Sequence, residues 1–278
     1  MDRTLIYTCC NEKYTHFIPL FCAAALWSNS NIDIEIGVDV EKLSKKEEEA
    51  LNNLRQMYPD SKIVIHYKFF RMSGGYAVYR GKTMLPNTVR FVSEPTIRNK
   101  YTYISDIDIP ILEKDFYNQH IENMHKLGLS YSNIVRKGTR KLSGLHFCMT
   151  NKHYPLSLPF VRWSRNDEEL LFEIVKNKGL KIDTSTTFRP VHGIHFSLNR
   201  PTVEGAHGIP GWGAKKYKDL WDEFKKSEAF KTVEPSFHPL IKQLMKREDI
   251  EEIYNAGDSG REGEYIQRLV FMMAQPNP

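Results

Sequence analysis

Short apolar runs alternate with amphipathic stretches along the first 68 residues of the chain. Three runs have the length and composition of β-strands: Thr4–Cys10, Ile32–Val40 and Lys62–Tyr67. The stretches between them predict two helices, Tyr14–Trp27 and a second that begins with the capping box Ser44-x-x-Glu47 and ends near Tyr58. This strand-helix-strand-helix-strand order predicts an α/β fold with a mostly parallel sheet and helices on its faces.

The pattern becomes less regular after residue 68. A polar, glycine-containing segment over 71–81 predicts a loop, and residues 86–99 predict a helix that leads into the next strand. Residues 142–149 and 191–198 predict two further short strands. Between them, Asn166 and Gly179 are suited to begin and end a helix over 167–177.

The segment Tyr101–Leu112 combines an apolar, β-prone run with two aspartates, Asp106 and Asp108, just before Pro110. A strand that is apolar on both faces belongs inside a sheet. Carboxylates at its end are costly unless they are paired or bind a cation. Mg²⁺ and Mn²⁺ accept one or two carboxylates and share the phosphates of a ligand, so the pair predicts such a site.

Ligands of open α/β sheets bind beyond the carboxyl ends of the strands. The first strand ends in Thr8-Cys9-Cys10-Asn11, and the fourth ends at the two aspartates. We therefore expect both ends to face one crevice.

Four basic or imidazole side chains are considered for the same crevice. His192 and His195 are three residues apart on a predicted strand, so they point to opposite faces and only one is expected near the aspartates. An imidazole completes a carboxylate and phosphate sphere for Mn²⁺. Arg200 can grip a diphosphate. Arg90, on the helix before the strand, can pair with an aspartate or a donor sugar.

Composition narrows the class of protein only slightly. The 278 residues are 41% hydrophobic and 26% charged, with a formal net charge of +5, which suits anionic ligands without choosing among them. The four cysteines include no Cys-x-x-Cys pair, which favours free thiols in a reducing cytoplasm. The apolar run Phe17–Trp27 is too short to span a bilayer and follows Asn11, Glu12 and Lys13, so it predicts a buried helix, and no signal peptide is evident.

In this order the motifs resemble the nucleotide-sugar glycosyltransferases of the GT-A fold, particularly the retaining family 8 type. The resemblance covers about residues 3–205 and is carried by five segments: TCCNEKY at 8–14, the helix with Arg90, ISDID at 104–108, SGLHF at 143–147 and HFSLNRP at 195–201. The chain departs from the family pattern at three places. Ser-Gly replaces Asn-Ala-Gly, Leu198 stands where glycine is usual, and Arg200 replaces lysine.

The resemblance implies roles for individual residues. Asp106, Asp108 and His195 would bind Mn²⁺ (or Mg²⁺), with Arg90 as a further catalytic candidate. The remaining donor-binding candidates are Thr8, Cys9, Asn11, Tyr14, Ser105, Ser143, Gly144 and Arg200. The implied donor is a nucleotide diphosphate sugar, with UDP-sugars favoured.

The tail resembles a second family. Residues 250–270 are similar to the TOPRIM segment of type IA topoisomerases, and Asp258, Arg261, Glu262 and Glu264 match its acidic motif. The chain lacks the length for the tyrosine-bearing nuclease domain, and no preceding TOPRIM strand with its glutamate is evident. We therefore divide the chain into a GT-A domain over 1–215 and a C-terminal α/β appendage over 216–278.

The leading hypothesis is a cytoplasmic, metal-dependent glycosyltransferase that acts on a glycan or another hydroxyl acceptor. Three alternatives stay open: a transferase acting on hydroxylated bases of DNA, a nucleic-acid metalloenzyme or binding module built on the tail, and a catalytically inactive nucleotide-sugar binder. A retaining enzyme needs no strong protein base. An inverting one does, and Asp183 and Glu204 are the candidates. The acceptor, the stereochemistry and the oligomeric state stay open.

Overall fold

The fold is described from a computed structural model. It covers residues 2–156, 166–186, 188, 191–196 and 216–245, with side chains described up to residue 236 in the last range. The tail motif around Asp258, the candidates Arg200 and Glu204, and the glycine cluster after residue 204 lie outside the described residues.

The described strands and helices alternate as the sequence predicts over the first 68 residues. The strands are β1 Thr4–Cys10, β2 Ile32–Val38, β3 Ile63–His66, β4 Arg71–Ser73, β5 Tyr76–Tyr79, β6 Lys82–Met84, β7 Tyr101–Ile104, β8 Tyr131–Ser132 and β9 His146–Met149. The helices are α1 Phe17–Ser28, α2 Lys45–Met57, α3 Val89–Val92, α4 Phe116–Leu127, α5 Thr150–His153, α6 Asp167–Asn177, α7 Lys218–Lys225 and α8 Glu228–Met245.

The main sheet has the order β3-β2-β1-β7-β9-β8. Strands β3, β2, β1 and β7 are parallel, and Ile6 of β1 lies between Ile34 of β2 and Tyr103 of β7. Strand β9 runs antiparallel to β7 and pairs Ile104 with His146. The amino end of β9 therefore meets the carboxyl ends of the parallel strands at one edge. The predicted mostly parallel sheet flanked by helices is confirmed.

Apolar residues cover both faces of the central strand β1. Ile6 packs with α1, α2 and the aromatic residues of α7 and α8 on one face. Leu5 and Tyr7 pack on the other face with α3, α6 and the small sheet formed by β4, β5 and β6. All three side chains are fully buried. Burial on two faces explains why the strands are apolar along their length rather than alternating.

Two predicted elements differ in the structure. Residues 71–81 form most of a three-stranded antiparallel sheet, β4-β5-β6, rather than a loop. The strands have only three or four residues, and glycines with positive φ turn the chain at Gly74, Gly75 and Gly81. In such short strands the turn glycines are more prominent in the sequence than any alternation of apolar and polar residues, so the sequence of residues 71–81 resembles that of a loop.

The predicted helix over 86–99 is much shorter, because only a 3₁₀ turn at Pro86–Thr88 and α3 form. Pro95 disfavours helical backbone before it. Beyond it, the buried carboxylate of Glu35 accepts the N–H groups of Thr96 and Ile97 at 2.7 and 2.8 Å. A carboxylate distant in sequence thus replaces the helical carbonyls as the acceptor.

Two predicted strands are also shorter than expected. The strand predicted over 142–149 begins at His146, since Leu142 instead forms an isolated bridge with Val135. Residues 191–196 form no continuous strand, although Gly193, paired antiparallel with Ile111, and His195 are both bridge residues. The helix over 167–177 is confirmed, with Asn166 accepting the N–H of Glu168 and Gly179 in the left-handed region.

The described part of the C-terminal region packs on the rest of the chain. Tyr217, Phe224, Phe230 and Val233 belong to the same core cluster as α1 and β2. The boundary after residue 215 stays a prediction.

All four cysteines are buried and free. Within the described ranges, no helix combines the length and apolar character needed to cross a membrane.

The capping box of α2 gives a direct test of the local fold. Ser44 Oγ accepts the N–H of Glu47 at 3.3 Å, and Glu47 Oε2 accepts the N–H of Ser44 at 2.7 Å. We expect Ser44→Ala to lower the free energy of unfolding by about 1 kcal/mol because an N–H of the first turn loses its acceptor. Urea unfolding measures this loss, and Lys46→Ala, at an exposed position of the same turn, is the control. Equal stability of the two variants would contradict the prediction.

Candidate functional site

An open crevice of about 990 Å³ lies at the edge where the parallel strands end and β9 begins. Its lining residues are Cys9, Cys10, Asn11, Tyr14, Leu85, Pro86, Asn87, Arg90, Asp106, Ile107, Asp108, Ile109, Arg136, Thr139, Lys141, Ser143, Gly144, Leu145, Asn166, Asp167, Glu168 and His195. Most of these side chains are polar or charged, as expected of a surface that binds a polar ligand.

The two aspartates lie in a turn directly after β7. The N–H of Ser105 donates to Tyr7 O of β1 at 3.1 Å, which continues the pairing one residue past the strand. The N–H of Ile109 then donates to Asp106 O and closes the turn. Ile107 is buried, so it anchors the turn in the core while the aspartates on either side line the crevice.

Arg90 of α3 is the centre of the charge arrangement, and its side chain is only 4% exposed. Its Nη1 lies 2.5 Å from Asp106 Oδ1, and its Nη2 lies 3.2 Å from Asp167 Oδ2. Nη2 also lies 3.4 Å from the carbonyl oxygen of Gly144. One guanidinium therefore joins the turn after β7, the entry to β9 and the first turn of α6.

Burial and charge act in opposite directions on the two carboxyl groups. Burial raises the pKa of Asp106, as does the neighbouring Asp108 carboxylate, while Arg90 opposes the rise. Burial likewise raises the pKa of Asp167, and Arg90 again opposes it. Arg90 thus favours the ionised forms, which are the forms that bind cations.

His195 reaches the same turn from a different part of the chain. Its Nε2 lies 3.3 Å from Asp108 Oδ2, and the next residue, Phe196, donates its N–H to Asp108 O at 2.8 Å. Gly193 is seated so closely on Pro110 that a Cβ atom would lie 1.8 Å from the Pro110 oxygen. Only glycine fits this approach, which brings the imidazole to the second aspartate.

His192 points away from the crevice, as the three-residue spacing predicts. It is buried and contacts Glu113 and His120 rather than the aspartates. The two histidines therefore occupy different environments although they share one short segment.

The crevice brings together nine of the predicted site residues: Cys9, Asn11, Tyr14, Arg90, Asp106, Asp108, Ser143, Gly144 and His195. Thr8 and Ser105 are fully buried and do not line it. Asp183 is also absent from the lining, and its carboxylate accepts hydrogen bonds from Ser185. Arg200 lies outside the described residues.

Sequence reasoning missed Asp167, together with the basic rim formed by Arg136 and Lys141. Asp167 follows the N-cap Asn166 in the first turn of α6, where acidic residues commonly stabilise the helix dipole. This local role is sufficient to explain an aspartate at the position, so the sequence does not indicate that its carboxylate also binds Arg90. Only the tertiary fold reveals the second role, as a partner of Arg90.

A second set of possible metal ligands lies in the core. Ligand atoms of His146, Cys148 and His153 lie within 4.8 Å of one another. Asn133 Oδ1 accepts two backbone N–H groups, so its amide nitrogen faces His146 Nδ1 at 3.1 Å. Nδ1 must then accept, which puts the ring proton on Nε2 and leaves no lone pair there for a cation. This cluster does not fit a metal.

Comparisons with known proteins give distant structural likenesses. No protein-family model matches the chain, and a search of curated proteins finds no match. The chain is similar to the apo-form glycosyltransferase GlyE of Streptococcus pneumoniae, with a TM-score of 0.47 and 10% identity over 86% of this chain and 64% of that chain. This chain thus spans slightly under two thirds of GlyE.

Two further solved structures are similar at the same level. The galactosyltransferase LgtC, in complex with donor and acceptor sugar analogues, gives a TM-score of 0.45 and 10% identity over 82% of this chain and 99% of that chain. The mannosyltransferase PcManGT from Pyrobaculum calidifontis, in complex with GDP-Man and Mn²⁺, gives a TM-score of 0.44 and 10% identity over 100% of this chain and 81% of that chain. Likenesses this distant leave the chemistry to be argued from the chain's own residues.

Replacing Arg90 tests the charge arrangement. We expect Arg90→Met to lower the free energy of unfolding by about 3 kcal/mol at pH 8, because two partly buried carboxylates lose their common partner. The pKa values of Asp106 and Asp167 then rise further above their unfolded values. A raised carboxyl pKa contributes stability at low pH that is lost as the pH rises, so the deficit should be smaller at pH 5 than at pH 8.

Urea unfolding at several pH values measures both effects. Arg98→Met removes an exposed arginine that pairs with Glu94 and serves as the control. The double variant Arg90→Met/Asp167→Asn should recover part of the loss at pH 8. A deficit that is the same at both pH values would contradict the interpretation.

Proposed function

We propose that this chain is a metal-dependent glycosyltransferase of the GT-A type that transfers a sugar from a nucleotide diphosphate sugar to a hydroxyl acceptor. The observation that carries the proposal is the convergence of Asp106, Asp108, Arg90 and His195 on one crevice at the carboxyl edge of the sheet. Carboxylates and an imidazole beside an open, polar space are what a cation and a diphosphate require together.

The donor atoms fit a divalent cation such as Mn²⁺ or Mg²⁺. Asp108 and His195 already approach each other at 3.3 Å, and Asp106 lines the same space with a carboxylate that Arg90 holds towards the ionised form. These three residues would hold the cation. A bound cation supplies neutralisation of the charge that develops on a departing diphosphate.

The chain's own residues also offer contacts for the nucleoside and for the sugar of the donor. Asn11 and Tyr14, beyond the end of β1, are suited to the base and ribose. Among the described residues, Asn11 Oδ1 is buried without a hydrogen-bond partner, so it can accept from a nucleotide. The absence of a side chain at Gly144 leaves room for the ion pair of Arg90 and Asp167 beside the proposed sugar site, since a Cβ atom there would lie 3.1 Å from Arg90 Nη2.

Arg90 and Asp167 would then orient the transferred sugar. Arg90 lines the crevice and is fixed on both sides by carboxylates, so its guanidinium has a set orientation beside the proposed sugar site. We favour a retaining reaction with a UDP-sugar, as the family 8 resemblance implies. In such a reaction the departing phosphate accepts the acceptor's proton, and no strong protein base is needed.

The acceptor is proposed as a glycan. The crevice rim carries Arg136, Thr139 and Lys141, whose polar groups suit hydroxyl or anionic ligands. Arg136 pairs with Glu168, so the rim is mixed in charge rather than uniformly basic. This favours a polar glycan over the phosphate backbone of DNA, which requires a continuous positive surface.

Free, buried thiols support a cytoplasmic location.

A thermal-shift screen of nucleotide sugars, with and without Mn²⁺, tests the proposal. We expect the right donor to raise the melting temperature only when Mn²⁺ is present, because both ligands bind the folded state together. Asp108→Asn should abolish this metal-dependent shift and reduce transfer at least about 100-fold, since the cation loses an anionic ligand. Asp219→Asn, at an exposed position of α7, is the matched control.

Each contrary outcome has a distinct meaning. No Mn²⁺-dependent shift with any nucleotide sugar would overturn the proposal. Shifts without turnover on any acceptor would favour a nucleotide-sugar binder. Turnover with hydroxylated duplex DNA but not with glycans would overturn the proposed acceptor while leaving the chemistry intact.

A further inference from the structure

The carboxylate of Glu113 joins three segments of the chain behind the crevice. Its Oε2 accepts from His192 Nδ1 at 2.8 Å and from the hydroxyl of Tyr217 at 2.9 Å. Lys216 Nζ lies 3.7 Å from the same oxygen. Burial raises the pKa of Glu113, but hydrogen bonds from His192, Gln119 and Tyr217 outweigh it and lower the pKa to about 2, so the carboxylate stays ionised.

A buried chain of hydrogen bonds leads from this carboxylate to α4. His192 Nε2 lies 2.8 Å from His120 Nε2, and His120 Nδ1 lies 2.9 Å from the hydroxyl of Ser132. Asn123 Nδ2 donates to that hydroxyl at 2.9 Å. Both imidazoles are almost fully buried, and the His120 ring stacks on Phe147 with the planes 2° apart.

The donors and acceptors of this hydrogen-bond chain can be assigned in one consistent direction. The Glu113 carboxylate can only accept, so His192 Nδ1 carries a proton and His192 Nε2 accepts from His120 Nε2. His120 Nδ1 then accepts from Ser132, which in turn accepts from the Asn123 amide. Burial lowers the pKa of both histidines, which agrees with two neutral rings in opposite tautomers.

This series of hydrogen bonds is attached directly to segment 191–196, which carries His195. His192 O accepts the N–H groups of Leu112 and Glu113 at 2.9 and 3.1 Å. The Tyr217 oxygen also lies 2.5 Å from Val191 O, so its single hydroxyl proton is shared between that carbonyl and the Glu113 carboxylate and links them. The segment 191–196 is therefore fixed along its length to residues 108–113, from the Glu113 carboxylate at one end to Asp108 at the other.

We infer that Glu113, Tyr217, His192 and His120 are positioning residues that hold His195 against Asp108, although none of them lines the crevice. The inference extends the proposed function, because the atoms that it positions are the proposed cation ligands. The side-chain bonds of these residues add to the backbone bonds that join segment 191–196 to residues 108–113.

Amide hydrogen exchange at Phe196 tests the inference without any ligand, because its N–H donates to Asp108 O. Tyr217→Phe removes the hydroxyl and its contacts with Glu113, Val191 and Lys216, and we expect exchange at Phe196 to become about tenfold faster. Glu113→Gln keeps an acceptor but loses the charge, so a smaller acceleration is expected. Tyr131→Phe removes a comparable buried hydroxyl bond to Lys181 O and should leave Phe196 unchanged.

The amide of Ile34, which donates to Lys62 O inside the main sheet, reports global unfolding. Equal acceleration at Ile34 and Phe196 in Tyr217→Phe would overturn the inference, as would no acceleration at Phe196. In a second arm, Mn²⁺ affinity measured by electron paramagnetic resonance should fall several-fold in Tyr217→Phe and stay unchanged in Tyr131→Phe. Absence of Mn²⁺ binding by the wild-type chain would count against the proposed function alone, since the exchange arm still decides the inference.

Discussion

The crevice depends on one ion arrangement, in which the guanidinium of Arg90 lies between the carboxylates of Asp106 and Asp167. Taking ionised groups out of water is costly, and each of these three is stable only because the others are there. The arrangement also sets the geometry of the backbone. It ties α3, α6 and the turn after β7 to the entry of β9 through Gly144, so the edge of the sheet has a fixed shape.

The topology explains why these groups meet. Four parallel strands end at one edge, and β9 returns in the opposite direction, so its first residues arrive where β7 ends. Ser143 and Gly144 are distant from the aspartates in sequence, yet the reversal of one strand brings them into the same crevice. A fully parallel sheet would have put the entry to β9 at the opposite edge.

The sequence predicts those parts of the molecule that local patterns determine. Strand β1, the capped helix α2 and the aspartate turn follow from apolar runs and specific short motifs, and they appear where expected. The prediction of a helix over 86–99 was wrong partly because Pro95, a local signal, disfavours helical backbone before it, and partly because Glu35, far away in sequence, supplies the acceptors. Asp167 was missed for the same reason, since its partner Arg90 is 77 residues away. Local patterns contain no information about such partners.

Residues 192 and 195 face opposite sides of one short segment. His192 is packed in the core between Glu113 and His120, while His195 meets Asp108 at the crevice. The crevice cannot loosen at this segment without withdrawing a buried imidazole from the interior. Opening of this wall therefore breaks the core contacts of His192 together with the crevice contact of His195.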